Sequence, residues 1–200
     1  MNNKLFIILI IFLQFLFINK IYSKEIQFNA NEIEVLDGGN ETIAKNGTVL
    51  IQKDKISATG RIIKYIKNRS LLIINDGKIK KIDDNLEINS KVIKYNIDQS
   101  NLNFKNNVQI NDNTNNIKIN TDEINYNLNK NQIESSSNSE IKDDLGNIYR
   151  VSQFEYNLED RIIKLSNLEV LDVNKNIFKI ELAFLDLEKR ELIAKDVGLN

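Results

Sequence analysis

Asn111, Asn113, Asn115 and Asp122 stand in NDNTNNIKINTD at positions one, three, five and twelve, where a calcium loop sets its oxygen ligands. Two features break such a site. Asn116 holds the sixth position, where the sharp turn needs Gly, and the first ligand is an amide rather than a carboxylate. Paired carboxylates can cleave a glycosidic bond, yet nothing sets any pair apart among the 28 Asp and Glu residues. The chain has no His and no Cys, so the usual general base, the thiol nucleophile and the softer metal ligands are missing. No G-x-x-x-x-G-K-[ST] nucleotide loop occurs either. Catalysis, a metal centre and a cofactor are therefore not expected. A formal net charge of −1 gives no electrostatic reason for a nucleic-acid partner. Lys78–Lys81 (KIKK) reads as a solvated strand face, and NET, NGT and NRS match the glycosylation sequon by accident of an Asn-rich chain.

With little chemistry to position, the elements carry the information. INSKVIKYN (residues 88–96) returns thirty-one residues later as INTDEINYN (residues 119–127). Followed along the chain, four apolar or small positions at steps of two, three and two recur six times. They are Phe28, Ala30, Ile33, Val35; Ala58, Gly60, Ile63, Tyr65; Ile88, Ser90, Ile93, Tyr95; Ile119, Thr121, Ile124, Tyr126; Tyr149, Val151, Phe154, Tyr156; and Phe178, Ile180, Ala183, Leu185. The sets advance by about 30 residues each, the signature of a repeat protein.

A step of two keeps side chains on one face of a strand. The step of three breaks that parity, which predicts a β-bulge in each copy and a sheet that bends there. Each strand is followed by a short polar link and a second apolar run: DGGN precedes TIAKNGTVLI, and IDQSN precedes LNFKNNVQI. Links this short join antiparallel neighbours. No window shows a 3.6-residue stripe, so no helix is predicted in the mature chain. About twelve half-apolar strands in hairpin order predict an all-β fold: two antiparallel sheets facing each other, a jelly roll or sandwich. A parallel β-helix is the alternative, but it needs three strands per coil where two are found here.

The first residues read differently. Met1 to Lys4 is a short positive stretch, Leu5 to Ile18 an apolar run broken only by Gln14, and Ser23 a small residue suited to cleavage. This is the layout of a secretory signal peptide over residues 1–23, which leaves residues 24–200 as one domain. A retained transmembrane helix is the rival, and the run is shorter than the roughly 20 residues that a bilayer requires.

The unit, an apolar strand ending in I-x-Y, a polar turn and a run such as LNFKNNVQI, resembles the OstA-type repeat of the lipopolysaccharide transport proteins. LEINSKVIKYN and IKINTDEINYN carry the likeness best, and it covers residues 26–200. The relatives sharing that repeat are LptA, LptC and the N-terminal periplasmic domain of LptD. The chain stops at AKDVGLN in mid-strand, which favours an LptD-like N-terminal domain, with a free-standing LptA-like bridge as the alternative. An exported adhesive or coating repeat is the reading outside this family. The resemblance implies a jelly roll that shelters acyl chains of lipopolysaccharide between its sheets on the periplasmic face of the outer membrane. It implies as partners an LptA-like bridge protein joined by strand addition, and an LptE-like component with an outer-membrane barrel. The mix of Ile with Ala, Gly, Ser and Thr on the inner face suggests an unfilled slot. Ile33, Ile63, Ile93, Ile124 and Phe154 are the expected lining, with Tyr65, Tyr95, Tyr126 and Tyr156 nearer a wet mouth. The first strand, with Ile26, Phe28, Ile33 and Val35, is the expected docking edge.

Overall fold

The computed structural model describes residues 26–83 and 85–198, so the segment read as a signal peptide lies outside it. Fourteen strands follow in chain order: β1 (Ile26–Leu36), β2 (Glu41–Ile51), β3 (Ile56–Ile66), β4 (Leu71–Lys81), β5 (Leu86–Asn96), β6 (Asn101–Asp112), β7 (Ile117–Asn127), β8 (Gln132–Ser135), β9 (Ser139–Lys142), β10 (Ile148–Val151), β11 (Gln153–Asn157), β12 (Ile162–Leu171), β13 (Ile177–Asp186) and β14 (Glu191–Gly198). All pair antiparallel within one sheet. The only helical turns among the described residues are three-residue 3₁₀ turns at Asp37–Gly39 and Lys67–Arg69. Strands β8 and β9 both pair with β7, and β10 and β11 both pair with β12, so each couple is one long strand interrupted in the middle. Counted that way there are twelve, as the hairpin order predicts.

The two facing layers are not separate sheets. They are the two halves of every strand in one continuous sheet, folded along a line that crosses all of them. On β5 the buried positions are Leu86, Ile88 and Ser90, then Ile93 and Tyr95. The parity changes between Ser90 and Ile93, and both halves feed one core cluster. The fold line is marked by small residues in register, Ala30 beside Gly47, Gly47 beside Gly60, Gly60 beside Gly77 and Gly77 beside Ser90. Glycine is required there by space. A Cβ on Gly60 would stand 2.3 Å from Ile74 Cγ2, and one on Gly77 would stand 2.4 Å from the same atom.

The bulge predicted for every copy is found as a register shift beside β6, where the positive-φ pair Asn106 and Asn107 takes up one extra residue, and the interrupted β8/β9 strand likewise carries one residue more than β7 opposite it. Elsewhere the even-numbered strands turn the corner with one left-handed residue and no insertion. These are Asn46 (φ 49°), Asp76 (φ 48°) and Asn167 (φ 51°). Asn and Asp tolerate that conformation because their short polar side chains bond locally. On the interrupted strand, Ser136 to Asn138 form the corner, and the buried hydroxyls of Thr121, Ser135 and Ser139 satisfy one another across it at 2.9–3.1 Å.

Hairpin turns collect on two rims. One rim holds the turns after β2, β4, β6, β9 and β12; the other holds those after β1, β3, β5, β7, β11 and β13. Asx side chains begin many of them. Asp112 Oδ1 accepts the N–H groups of Thr114 and Asn115, and Asn157 Oδ1 accepts those of Glu159 and Asp160. Successive turns on one rim are tied by backbone bonds about thirty residues apart. Ile97 N–H donates to Ser70 O, Leu128 N–H to Ser100 O and Leu158 N–H to Asn131 O, each at 2.9 Å.

Candidate functional site

The inner face consists of apolar rows that cross the strands and run along the fold axis. One row passes from Ala44 through Ile63, Ile74, Ile93 and Phe104 to Ile124. A second passes from Tyr65 through Leu72, Tyr95, Leu102, Tyr126 and Ile133 to Tyr156. The first row crosses six strands and the second seven, so at about 4.8 Å between neighbouring strands they run for roughly 24 and 29 Å. The expected lining residues Ile63, Ile93, Ile124 and Phe154 are thus brought onto one face, and all four are buried. They lie in one core cluster, so the protein's own side chains cover this face where a slot was expected. Ile33, on the uncovered first strand, is 49% exposed.

The tyrosines correct the expectation of a wet mouth. Tyr95, Tyr126 and Tyr156 are essentially fully buried, and only Tyr65 is partly exposed, tilted against Phe28 at 6.4 Å between ring centroids. Tyr95 donates its hydroxyl proton to Asp54, and Tyr156 donates to Asp112 Oδ2 at 2.5 Å. Burial first, and then the neighbouring carboxylate, push both phenols far above their usual pKa. Tyr149 is raised likewise, by burial and by Asp143, whose Oδ2 accepts its hydroxyl at 2.9 Å. These phenols therefore remain hydrogen-bond donors across the physiological range.

The Tyr95 and Tyr156 bonds cross from one rim to the other. They are joined by Lys53 Nζ, which donates to Ile97 O (3.1 Å) and Ser100 Oγ (3.0 Å), and by Ser100 Oγ, which donates to Asp54 Oδ1 (3.1 Å). Lys81 Nζ reaches Asn131 Oδ1 (2.9 Å), Asn115 Nδ2 reaches Tyr156 Oη (2.8 Å), and Arg190 pairs with Asp144 (3.0 Å). A seam of side chains thus closes the folded sheet opposite its corner. Sequence reading missed Asp54 and Asp112 altogether. Their recurrence just after or at the end of an even strand was visible, but their partners lie more than forty residues away.

The stretch weighed as a calcium loop is the hairpin turn between β6 and β7, and its oxygens serve as turn caps. No group of three or more metal-binding side chains occurs among the described residues. KIKK is the end of β4, with Lys78 paired to Glu87 at 3.3 Å.

The sequence profile of the lipopolysaccharide-assembly, LptC-related family matches residues 9–168. This chain belongs to that family. LptC-related proteins serve transport, not catalysis. The match does not extend to the finer assignment as an LptD N-terminal domain. No curated protein sequence matches the chain. Among solved structures it is similar to LptH, the LptA-homologous periplasmic component of the lipopolysaccharide transport device of Pseudomonas aeruginosa. That likeness covers 72% of this chain and 82% of LptH, at 12% identity and a TM-score of 0.29, too distant to bear on the arrangement above.

Among the described residues β1 is an end strand, paired only with β2. Ile26 and Phe28 are partly buried against the core, whereas Ile33 and Val35 (62% exposed) leave the second half of the strand bare. Among the described residues no helix is long and apolar enough to cross a membrane.

Proposed function

We propose that this protein is a periplasmic carrier of lipopolysaccharide, holding acyl chains against the inner face of its folded sheet. The observation that carries the reading is the unbroken run of apolar rows along the fold axis, in a chain of the lipopolysaccharide-assembly family. Burial of each methylene contributes about 0.8 kcal/mol, and a chain sliding along such a row exchanges one apolar contact for the next. The layers part to admit it, and Ile63, Ile93, Ile124 and Phe154 become its lining, with the tyrosine row beside them. No group that could drive movement in one direction was found in the sequence, so the drive comes from a partner.

The exposed half of β1 supports strand addition by an LptA-like neighbour, with Ile26, Phe28, Ile33 and Val35 as the docking edge. The LptC-related match supports a station on the periplasmic bridge, upstream of an LptE-like component and an outer-membrane barrel. Photo-crosslinking amino acids at Ile93 and Ile124 test the carrier role. Capture of lipopolysaccharide there, with little at the outward-facing Lys94 and Asn125, is the expected result. Capture confined to the outward pair rejects it.

A further inference from the structure

One row on the outer face of the folded sheet carries no apolar side chain from end to end. It starts at Asn29 on β1, passes in register through Thr59, Asn89, Gln109 and Asn120, and ends at Glu169 on β12. The row crosses ten strands, so at about 4.8 Å between neighbours it runs for roughly 43 Å beside the fold line. Outer rows elsewhere are mixed: Ile43 and Ile73 flank Lys64 on the other layer.

Beside this polar row the surface sinks into a shallow groove. Its larger part, about 940 Å³, lies between Gln109, Asn120 and Arg150 on one wall and Asn107, Asp122 and Asn138, at the fold line, on the other. Here the two interrupted strands lie side by side, β8 against β11 and β9 against β10. A second hollow of about 770 Å³ lies further along the same line, by Thr48, Thr59 and Asn89.

The walls decide the ligand. Among the described residues nothing in the protein hydrogen-bonds to the side chains of Asn107, Gln109, Asn120 and Asn138. A carboxamide offers two N–H donors and an acceptor oxygen, the complement of a hydroxyl, which both gives and takes a bond. Cations in the groove are neutralised. Arg150 lies 3.4 Å from Glu140 and 3.3 Å from Glu169, and Lys78 lies 3.3 Å from Glu87, so a polyanion gains little. Val108 and Val151, beneath the groove, are 1% and 4% exposed and offer an apolar partner no purchase. Strands β6, β7, β9 and β10 are each paired on both sides, which leaves no edge there for an added strand.

From this we infer that the groove is a second binding site, for an uncharged, hydroxyl-rich glycan chain laid along the fold line, with Gln109, Asn120 and Asn138 as its main hydrogen-bonding partners. It lies outside the sheet, shares no residue with the expected lipid lining and does not depend on the carrier role. No aromatic ring lines it for a sugar to stack on. Each bond to sugar also replaces one to water, so affinity comes from repetition along the row.

The probes are two neutral chains, chitotetraose and maltotetraose, and a heparin tetrasaccharide as their anionic counterpart. Binding to the full chain in lauryldimethylamine-oxide micelles is followed by saturation-transfer difference NMR. A neutral chain should bind with a Kd of about 1 mM, and heparin should bind more weakly. Gln109→Ala combined with Asn120→Ala, both at exposed strand positions, should weaken that binding at least about fivefold with an unchanged melting temperature. Lys94→Ala, exposed on the other layer, should leave it within about twofold. Which neutral chain binds tells an acetamido-sugar strand from a plain hexose one. No transfer to either neutral chain, or tighter binding of heparin, overturns the site. Undiminished binding by the double variant overturns it as well.

Discussion

The hydroxyl of Tyr156 lies 2.5 Å from a carboxylate oxygen of Asp112, forty-four positions earlier in the chain and on the opposite rim. Asp112 is 3% exposed and also accepts the N–H groups of Thr114 and Asn115 and the Asn115 amide. One side chain thus ends a strand, shapes a turn and ties the two layers together. Tyr156→Phe should destabilise the fold by about 1.5–3 kcal/mol, the range for a hydrogen bond to a charged group. Asp112→Ala should be worse, since it strands several donors at once. Urea midpoints of the two variants check the order.

Alkali should weaken the fold through the buried phenols. In the native state Tyr95, Tyr149 and Tyr156 keep their protons above the usual phenol value, whereas the unfolded chain releases them near pH 10. The unfolded state then binds fewer protons, so stability is fully present below about pH 10 and falls as pH rises beyond it. Denaturant midpoints between pH 9 and pH 11.5 should slope downward. Tyr95→Phe and Tyr156→Phe should each flatten that slope.

A methyl group at the corner should not fit. Gly77→Ala places a carbon 2.4 Å from Ile74 Cγ2 and 2.8 Å from the backbone oxygen of Thr59. The side chain can yield but the carbonyl cannot easily do so, and a loss of about 1–3 kcal/mol is expected from overpacking. Thermal unfolding of this variant beside the wild type measures it.

Left-handed corners make a separate claim about backbone. Asn46 sits at φ 49°, between the exposed Lys45 and the partly buried Gly47. Asn46→Gly should be close to neutral, while Asn46→Val should lose about 1–2 kcal/mol for forcing a branched side chain into that region. Chemical denaturation of both variants decides whether this conformation, rather than the Asn side chain, is what the corner needs.

The docking edge can be separated from the fold. Because Ile33 and Val35 are 49% and 62% exposed, Ile33→Asp and Val35→Asp should shift stability by no more than about 0.5 kcal/mol. Both should weaken assembly with an LptA-like bridge protein, and Asn31→Pro should abolish it. Co-purification of the pair, with unfolding midpoints alongside, gives both readings. Undiminished assembly rejects β1 as the edge.

The strands were legible because their alternation is local: Ile88 and Ser90, then Ile93 and Tyr95, announce both the face and the break. The hairpin order was legible from turns such as IDQSN. The corner was misread because a parity break looks the same in sequence whether a residue is inserted, as at Asn106 and Asn107, or merely rotated, as at Asn46 and Asp76. The seam was not legible at all. Nothing near Tyr156 indicates that Asp112 completes it, and an I-x-Y ending suits a wet mouth as well as a buried clasp. Tyr95 lies on the inner face but in buried rather than wet surroundings, because its partner, Asp54, is set by how far the sheet winds before it closes.

That winding has a consequence for biosynthesis. Asp54 emerges from the ribosome long before Tyr95 and Ser100, which fasten it. The first repeats therefore leave the exit tunnel as an open ribbon with one greasy side unprotected, and each later hairpin shuts the part made before it. A nascent chain halted before Tyr95 should be a target for chaperones and proteases, and one halted after Ser100 should resist them at its beginning while its tail stays vulnerable.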